Sequence, residues 1–272
     1  MIYFAPEATE SYASLGIPSA SGYFASRSAP MGRVGADVVI ATFFNFHPRV
    51  VRPAIPSAWT LATPDAVLEA RVKSADGALR RMLGEAVEST DMARAAELAR
   101  PVAERAADRV GGRPLFAGHA GLPWPEPPHL VVWHAQTCLR EFRGDGHIAA
   151  LLLAEIEPVE ALILHVASGE VPIHFLKSSR GWSDEEWHAG VEQVRSRGWL
   201  EGSAGSELAL SESGRAIRQR VEDETDRLAV FPYEAIGEDG CAELRTLTRP
   251  FSRAVVAAAG LGVATNPPPS SS

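Results

Sequence analysis

Residues 127–147 constrain the fold most, because they indicate an apolar helix that carries polar groups at helical spacing. Their sequence is P-P-H-L-V-V-W-H-A-Q-T-C-L-R-E-F-R-G-D-G-H. In a helix, His134, Thr137 or Cys138, and Glu141 follow one another at steps of three to four residues and share one face. A helix this apolar is expected to be buried, and each buried polar group without a partner costs ~1–3 kcal/mol. The chain must therefore fold so that this face meets internal partners or a ligand.

This polar face predicts a ligand-binding site. The helix is predicted to run from about residue 129 to about residue 143 and to stop at a glycine turn, 144–146. Basic, histidine and aromatic side chains from neighbouring stretches are expected to pack around it. The candidate ligand-binding residues are His134, Glu141, Arg140, Arg143, His147, His119, Trp133, Trp124, His47 and Arg27. Such a set suits an anionic or aromatic small molecule, because arginine donates paired hydrogen bonds and tryptophan offers a stacking surface.

The same face has a purely structural interpretation, in which its polar groups only satisfy one another inside the core. For a single histidine, or for Arg27 beside its aromatic neighbours, the structural interpretation is favoured. His134 differs because Glu141 lies two helical turns away on the same face. A structural role predicts that His134→Ala costs stability, whereas a binding role predicts that it abolishes the response to ligand.

No catalytic motif is present, so no catalytic residue and no cofactor is assigned. The sequence lacks G-x-S-x-G, a phosphate loop, G-x-G-x-x-G and the metal-ligand pattern H-E-x-x-H. Cys138 is a candidate thiol nucleophile, but a buried core cysteine is the favoured interpretation. Acid-base chemistry through His134 and Glu141, with or without a haem or metal, stays open as an alternative.

Composition indicates a helical protein of the cytoplasm. Of the 272 residues 46% are hydrophobic and 22% charged, with alanine and leucine in runs, which favours helices over strands. The cysteines, Cys138 and Cys241, give no disulfide framework. Neither a signal-peptide pattern nor a run of about 20 apolar residues occurs, so no membrane segment is expected. A net charge of -8 weighs against a protein whose main task is to neutralise phosphates.

The rest of the chain predicts short helices and one hairpin. Helices are predicted at 35–46, 48–53, 63–72, 91–109, 115–122, 147–156, 158–167, 171–179, 183–197, 211–229 and 238–258. Thr63 and Ser183 are expected helix caps, Ser183 within a capping box that includes Glu186, and Asp145 is expected to cap the helix that starts at residue 147. Two apolar arms around a Gly/Ser turn at 198–210 predict a β-hairpin or wing. Residues 261–272 are predicted to be a disordered tail.

Several stretches carry a family resemblance. Short helix, helix, capped helix, R-S-R-G-W-L-E-G, hairpin and L-S-E-S-G-R-A-I-R-Q-R-V-E follow the order of a winged helix-turn-helix. Residues 145–258 resemble a MarR-type domain, in which sequences such as R-G-W-L (197–200) and L-S-E-S-G-R (210–215) span the wing. Through G-Y-F-A-S-R-S-A-P-M-G, F-F-N-F-H-P, L-P-W-P and W-H-A-Q-T-C-L-R-E-F-R-G-D-G-H, the whole chain also resembles an actinobacterial family of helix-turn-helix-like proteins, which supplies no mechanism.

The predicted fold class is mainly α, with two winged-helix-like (MarR-like) halves and small β-hairpin wings. The halves are an N-terminal helical half at 1–143 and a MarR-like half at 144–260. Thr63-Pro-Asp echoes Ser183-Asp-Glu, and the helix from Asp91 echoes the one from Ser211. These echoes leave open whether the chain is duplicated. A duplicated chain would be an internal pseudo-dimer with the central helix where its halves meet, and a homodimer is the other arrangement.

The expected recognition helix departs from DNA-reading proteins. Such helices carry basic or amide side chains to bases and phosphates, but residues 183–197 begin S-D-E-E-W-H. Residues 157–230 hold eight Lys and Arg against fourteen Asp and Glu. Because an acidic helix tip repels phosphates, we predict that 183–197 does not engage DNA.

Taken together, these patterns favour a small-molecule-binding protein, for sensing or sequestration, with its ligand at the junction of the halves. A MarR-like, ligand-responsive transcriptional regulator is the first alternative. An enzyme that uses His/Glu/Arg acid-base chemistry, or a haem or metal, is the second.

Overall fold

The structure of the protein, a computed structural model, describes residues 2–170, 173–202 and 207–258. These residues are mainly helical, as predicted, and form α1 (Pro6–Ala13), α2 (Ser19–Ser28), α3 (Ala36–Phe43), α4 (Pro48–Val51), α5 (Ala58–Leu61), α6 (Pro64–Leu83), α7 (Thr90–Ala106), α8 (Pro114–Ala120), α9 (Pro128–Leu153), α10 (Pro158–Ala167), α11 (Ile173–Arg180), α12 (Asp184–Ser196), α13 (Glu212–Ala229) and α14 (Gly237–Ala258). Short 3-10 helices lie at Ile2–Phe4, Ala29–Met31, Gly84–Glu88, Ala107–Arg109 and Phe231–Ala235. Within these ranges, no helix is both long and apolar enough to cross a membrane. The predicted tail at 261–272 lies outside the described residues.

Side-chain caps fix where several helices begin. Thr63 Oγ1 accepts a hydrogen bond from the Ala66 amide at 3.2 Å, and Pro64 occupies the first turn of α6. Ser183 and Glu186 form the predicted capping box at the start of α12. Each cap contributes ~1 kcal/mol, because it satisfies a backbone amide that the first helical turn leaves unpaired.

The central helix, α9, is longer than predicted. It runs from Pro128 to Leu153, so the predicted stop at 144–146 and the separate helix at 147–156 are wrong. A Cβ atom added to Gly146 would lie 2.8 Å from Arg113 Nη1 and 3.4 Å from Leu228 Cβ. The glycine therefore allows close packing of neighbouring segments against α9 and does not end the helix.

Other predicted boundaries also change. Asp145 does not cap the helix predicted to start at residue 147: its Oδ2 accepts a hydrogen bond from the Phe116 amide at 2.9 Å, in the first turn of α8. Helix α3 ends before residue 46, because the chain turns at Phe44 with a φ of 37°. Helix α6 continues past residue 72 to Leu83, since buried side chains recur along one of its faces as far as Leu79.

Two apolar cores are linked by α9. The first core collects side chains of α1 to α6, among them Phe24 and Phe43. The second collects side chains of α10 to α13, among them the buried Trp187. Helix α9 packs against α7 and α8 through Phe142 and adds Leu151 to the second core. The polar centre of α9 is thus held between packed helices.

Helices α11 and α12, joined by the turn 181–183, occupy the stretch whose sequence resembles a helix-turn-helix, and α10 packs against α12. The turn is docked on the N-terminal part of the chain, because Trp182 Nε1 donates to the Asn45 carbonyl at 3.0 Å. Within the described residues, the predicted hairpin amounts to one antiparallel bridge, between Leu200 and Leu210. Its tip, 203–206, lies outside the described ranges.

Candidate functional site

A buried ion pair occupies the middle of α9. Glu141 is 3% exposed, and Arg27 Nη2 of α2 donates to both of its carboxylate oxygens, at 3.0 and 2.9 Å. Arg27 Nη1 donates to the Tyr23 hydroxyl at 2.6 Å, and the guanidinium carbon lies 4.4 Å from the centre of the Phe43 ring. Burial is the largest single influence and lowers the pKa of Arg27, but the charge and hydrogen bonds of Glu141, together with Tyr23 and Tyr3, outweigh it, so the pKa is raised. The pair ties α2 to α9.

Two further arginines meet beside this pair. Arg140 Nη2 contacts Glu141 Oε1 and donates to the Tyr3 hydroxyl at 2.8 Å. Arg71 Nη2, from α6, donates to the same hydroxyl at 3.0 Å. Arg71 is 3% exposed, and its Nε has no hydrogen-bond partner among the described residues. A buried N–H group without a partner is a donor available to a ligand.

His119 of α8 adds a second such donor. Its Nδ1 lies 3.2 Å from Arg71 Nη1, and because arginine can only donate, Nδ1 accepts and the ring proton is on Nε2. His119 is fully buried, and this Nε2 has no partner within the described part of the chain. Burial, followed by the charges of Arg71, Arg140 and Arg27, lowers the pKa of His119 well below its ordinary value. The ring is therefore neutral at physiological pH.

We name Arg27, Arg71, Arg140, Glu141 and His119 the arginine cluster. The cluster contains three guanidinium groups and one carboxylate, which leaves two positive charges in excess, and of the three guanidinium groups Arg27 and Arg71 are buried whereas Arg140 is exposed. Buried charge without a counterpart is costly, so the cluster favours an anion.

His134 lies on α9 but does not pair with Glu141. Its ring meets the Trp124 ring edge to face at 4.7 Å, and its Nε2 lies 3.7 Å from Cys138 Sγ. Burial, with a smaller contribution from Arg71, lowers the pKa of His134 to about 4. Burial also raises the pKa of Cys138 to about 12. The pair is thus a neutral imidazole beside a protonated thiol, and not an activated nucleophile.

A cleft opens between α6, α9 and the proline-rich connector at 122–127. Its volume is about 780 Å³, and Arg71, Trp124, Trp133 and His134 line it. The Arg71 guanidinium lies 5.0 Å from the centre of the Trp133 ring, within range of a cation–π interaction. Trp133 also lines a groove of about 300 Å³ between α9 and α14, together with Tyr3 and Arg140. Both openings therefore lead to side chains of the arginine cluster or to their direct partners.

Three predicted site residues lie elsewhere. Arg143 Nη2 donates to Glu222 and Asp226 of α13, at 2.8 and 3.1 Å. His147 Nδ1 lies 2.9 Å from Thr225 Oγ1, also on α13. These two residues face α13 because α9 continues through 144–146, which the sequence analysis did not expect. His47 precedes α4 and contacts the start of α12, where its Nε2 is 3.0 Å from Glu186 Oε1.

Arg71 and Tyr3 contact the arginine cluster or belong to it, but neither is among the candidate site residues predicted from the sequence. Arg71 had a detectable signal, because it follows Val67 by four residues and precedes Ala75 by four, in the buried stripe of α6. An arginine at a core position must be paired or must bind a ligand. Tyr3 carries no comparable signal, since it lies in a short 3-10 helix.

Metal-binding groups of three or more His, Cys, Asp or Glu side chains do not occur among the described residues. Comparison with curated proteins and with solved structures finds no match. The sequence does match the Helix-turn-helix family over residues 1–262. Because this match spans nearly the whole chain, the protein belongs to the Helix-turn-helix family.

Proposed function

We propose that this helix-turn-helix family protein binds a small aromatic molecule with an anionic group, in the cleft above the arginine cluster. The observation that carries this proposal is Arg71, a buried guanidinium that lines the cleft and has an Nε without a partner among the described residues. His119, which contacts Arg71 but does not line the cleft, has a second buried donor without a described partner, Nε2. An anion at this position offsets the positive excess of the cluster.

The ligand's apolar part is assigned to the two tryptophans. Trp124 and Trp133 line the cleft, and aromatic rings bury large areas and stack on other rings. Arginine suits a carboxylate in particular, because its planar group donates two parallel hydrogen bonds. Together these groups select a ring of limited size that bears a carboxylate or another oxyanion.

The pKa values of the candidate catalytic groups, His134 and Cys138, favour binding over catalysis. A general base is most effective with a pKa near the working pH, but that of His134 is lowered to about 4. A thiol nucleophile needs a lowered pKa, but that of Cys138 is raised to about 12. The enzyme alternative therefore gains no support from this site.

Family membership favours a sensing role over sequestration. In a sensor, ligand binding alters a second activity, and the family match makes DNA interaction a natural candidate. We further propose that α12 does not read bases. Its exposed surface carries Asp184, Glu185 and Glu192, and the side chains of His47 and Arg49 already engage Glu186.

The two-half arrangement, at 1–143 and 144–260, remains part of the proposal, with the boundary between the halves inside the continuous helix α9. Helices α6, α7, α8 and α9 have 20, 17, 7 and 26 residues. Their counterparts in order are α12, α13, the 3-10 helix Phe231–Ala235 and α14, with 13, 18, 5 and 22 residues. This parallel order supports duplication.

Thermal unfolding of the full chain against matched ligand pairs tests the proposed function. Aromatic carboxylates are compared with the corresponding neutral amides. A ligand at a hundredfold excess over its Kd stabilises the folded state by ~2.7 kcal/mol, which raises the Tm measurably. We expect carboxylates to raise the Tm of the wild type and the amides to have little effect.

Variants locate the response. Arg71→Gln removes the buried charge, and Trp124→Ala removes partly exposed stacking surface with less risk to folding. Both are expected to lose the carboxylate response, whereas Arg143→Gln, which alters an exposed ion pair with α13, is expected to keep it. The proposal is overturned if none of the aromatic carboxylates raises the Tm of the wild type, or if Trp124→Ala keeps the full Tm response.

A further inference from the structure

Three arginines form a row on the exposed side of α14. Arg245, Arg249 and Arg253 are all exposed and follow one another at intervals of four residues. Four residues advance a helix by about 6 Å and turn it by about 40° beyond one full turn. The row therefore spans about 12 Å along the helix within an arc of about 80°.

These guanidinium groups are not engaged within the described ranges, where none of them forms a hydrogen bond or an ion pair. Arg94 of α7 shows the contrast, because it binds Glu243 of α14 through two hydrogen bonds, at 2.7 and 2.9 Å. From residue 244 to the end of the sequence there are three arginines and no Asp or Glu. The nearest preceding acid, Glu243, is neutralised by Arg94, so the positive charge of the row is not offset along α14.

The opposite side of α14 is occupied by the protein itself. Leu244, Leu247 and Phe251 pack against the cluster formed by α7 and α9, and Val255 packs against Leu79 and Leu130. A helix that binds a bilayer surface must insert its apolar side among the lipids. Since that side of α14 is covered by other helices, it cannot insert among lipids, and the exposed charged row favours a polyanion over a membrane.

We propose that the arginine row of α14 contacts the phosphate backbone of double-stranded DNA. Phosphate contacts from arginine anchor a protein on a duplex without reading its sequence. The helix that normally reads bases, α12, presents Asp184, Glu185 and Glu192 instead. The row thus gives this helix-turn-helix protein a DNA-binding surface separate from α12, and it is independent of the proposed ligand cleft.

Salt-dependent binding of the full chain to a mixed-sequence duplex tests the row. The logarithm of the binding constant falls with the logarithm of salt concentration by ~0.9 for each phosphate contacted. Fluorescence anisotropy should detect binding of the wild type at about 50 mM salt, where such contacts are strong. The triple variant R245A/R249A/R253A should bind more weakly, with a slope that is shallower by ~2.7.

Two controls accompany this variant. R245K/R249K/R253K keeps the charge and should bind as the wild type does. R52A/R220A/R227A removes the same charge from exposed positions on other parts of the surface and should also keep its binding. Circular dichroism melts establish that each variant is folded.

The proposal is overturned if the wild type does not bind the duplex at low salt, or if the triple alanine variant keeps the wild-type slope. Equal losses in R52A/R220A/R227A, or in the lysine variant, would also overturn it. The same holds if the wild type binds vesicles that contain an anionic phospholipid but does not bind the duplex.

Discussion

At the scale of single residues, the Arg27–Glu141 pair governs the polar centre. Removing one partner of a buried ion pair leaves an unpaired charge and typically costs ~3–5 kcal/mol. We expect Glu141→Gln to approach this loss, because it also raises the positive excess of the arginine cluster. A double-mutant cycle measures the coupling of the pair. The double variant Arg27→Met/Glu141→Leu should lose less stability than the single variants Arg27→Met and Glu141→Leu lose in sum. Urea unfolding gives the four free energies, and strict additivity would show that the pair is not coupled.

Variants at Asp145 distinguish two effects on stability, the hydrogen bond that caps α8 and the burial of a carboxylate. Burial raises its pKa from 3.8 to about 6, so its contribution to stability is largest below the unfolded pKa and is lost as the pH rises through about 6. Asparagine caps helices as well as aspartate does and carries no charge. At neutral pH we expect Asp145→Asn to be at least as stable as the wild type, and Asp145→Ala to lose ~1 kcal/mol. Equal losses in both variants would contradict the role as a cap.

The lowered pKa of His134 predicts that the free energy of unfolding falls in acid. Its pKa falls from 6.5 to about 4 on folding, so the unfolded chain binds the proton more readily between these values. Stability is therefore complete above the unfolded pKa and falls as the pH drops through this window, by at most on the order of 3 kcal/mol. We expect His134→Gln to flatten the pH dependence of the unfolding free energy between about pH 6.5 and about pH 4. An unchanged slope would contradict this titration.

At the scale of elements, the glycines of α9 test whether the helix is continuous. A Cβ atom at Gly144 would meet only Glu141 Oε2, at 3.8 Å, whereas one at Gly146 would displace Arg113. Arg113 holds the Phe142 and Leu228 carbonyls, so that displacement breaks hydrogen bonds.

Opposite outcomes are therefore expected at the two positions. Gly144→Ala should stabilise the protein by ~0.5–1 kcal/mol, because alanine favours a helix interior. Gly146→Ala should destabilise it by ~1–3 kcal/mol through overpacking. Chemical unfolding compares the two variants, and a loss of stability in Gly144→Ala would indicate that the helix does break at this glycine.

Local signals account for what could be predicted of the elements. Thr63, Ser183 and Glu186 are caps whose partners lie three residues away, so a single sequence displays the whole motif. Residues 144–146 carry equally strong local signals for a helix end, but tertiary packing overrides them. Gly146 is required by the close approach of Arg113, which is distant in sequence, and no local pattern reveals that contact.

The candidate site shows the same difference between local signals, which the sequence displays, and tertiary contacts, which it does not. Helical spacing alone singled out His134 and Glu141 on α9. Their partners come from other elements: Arg27 from α2 and Trp124 from the connector before α9. Both residues are recognisable candidates in the sequence, but nothing in it pairs them with α9. Spacing on one helix suggests a pair between His134 and Glu141 instead, because it carries no information about which way each side chain turns.

At the scale of the whole molecule, α9 joins the two apolar cores. A helix that contributes side chains to both should couple their unfolding. We expect one cooperative transition, with coincident midpoints from tryptophan variants that report separately on Trp133 of α9 and Trp187 of α12. Denaturant titration followed by fluorescence measures both midpoints. Two separate transitions would show that the cores unfold independently.

The uninterrupted course of α9 also limits how the length of this chain can change during evolution. Inserting one residue between Glu141 and Leu151 would rotate the second core against the first by about 100° and shift it by about 1.5 Å. Deleting one residue would rotate it equally in the opposite direction. Surface loops absorb such changes readily, but a helix transmits them undiminished. Homologous sequences should therefore vary in length in the loops around α9 and keep a fixed number of residues between these two positions.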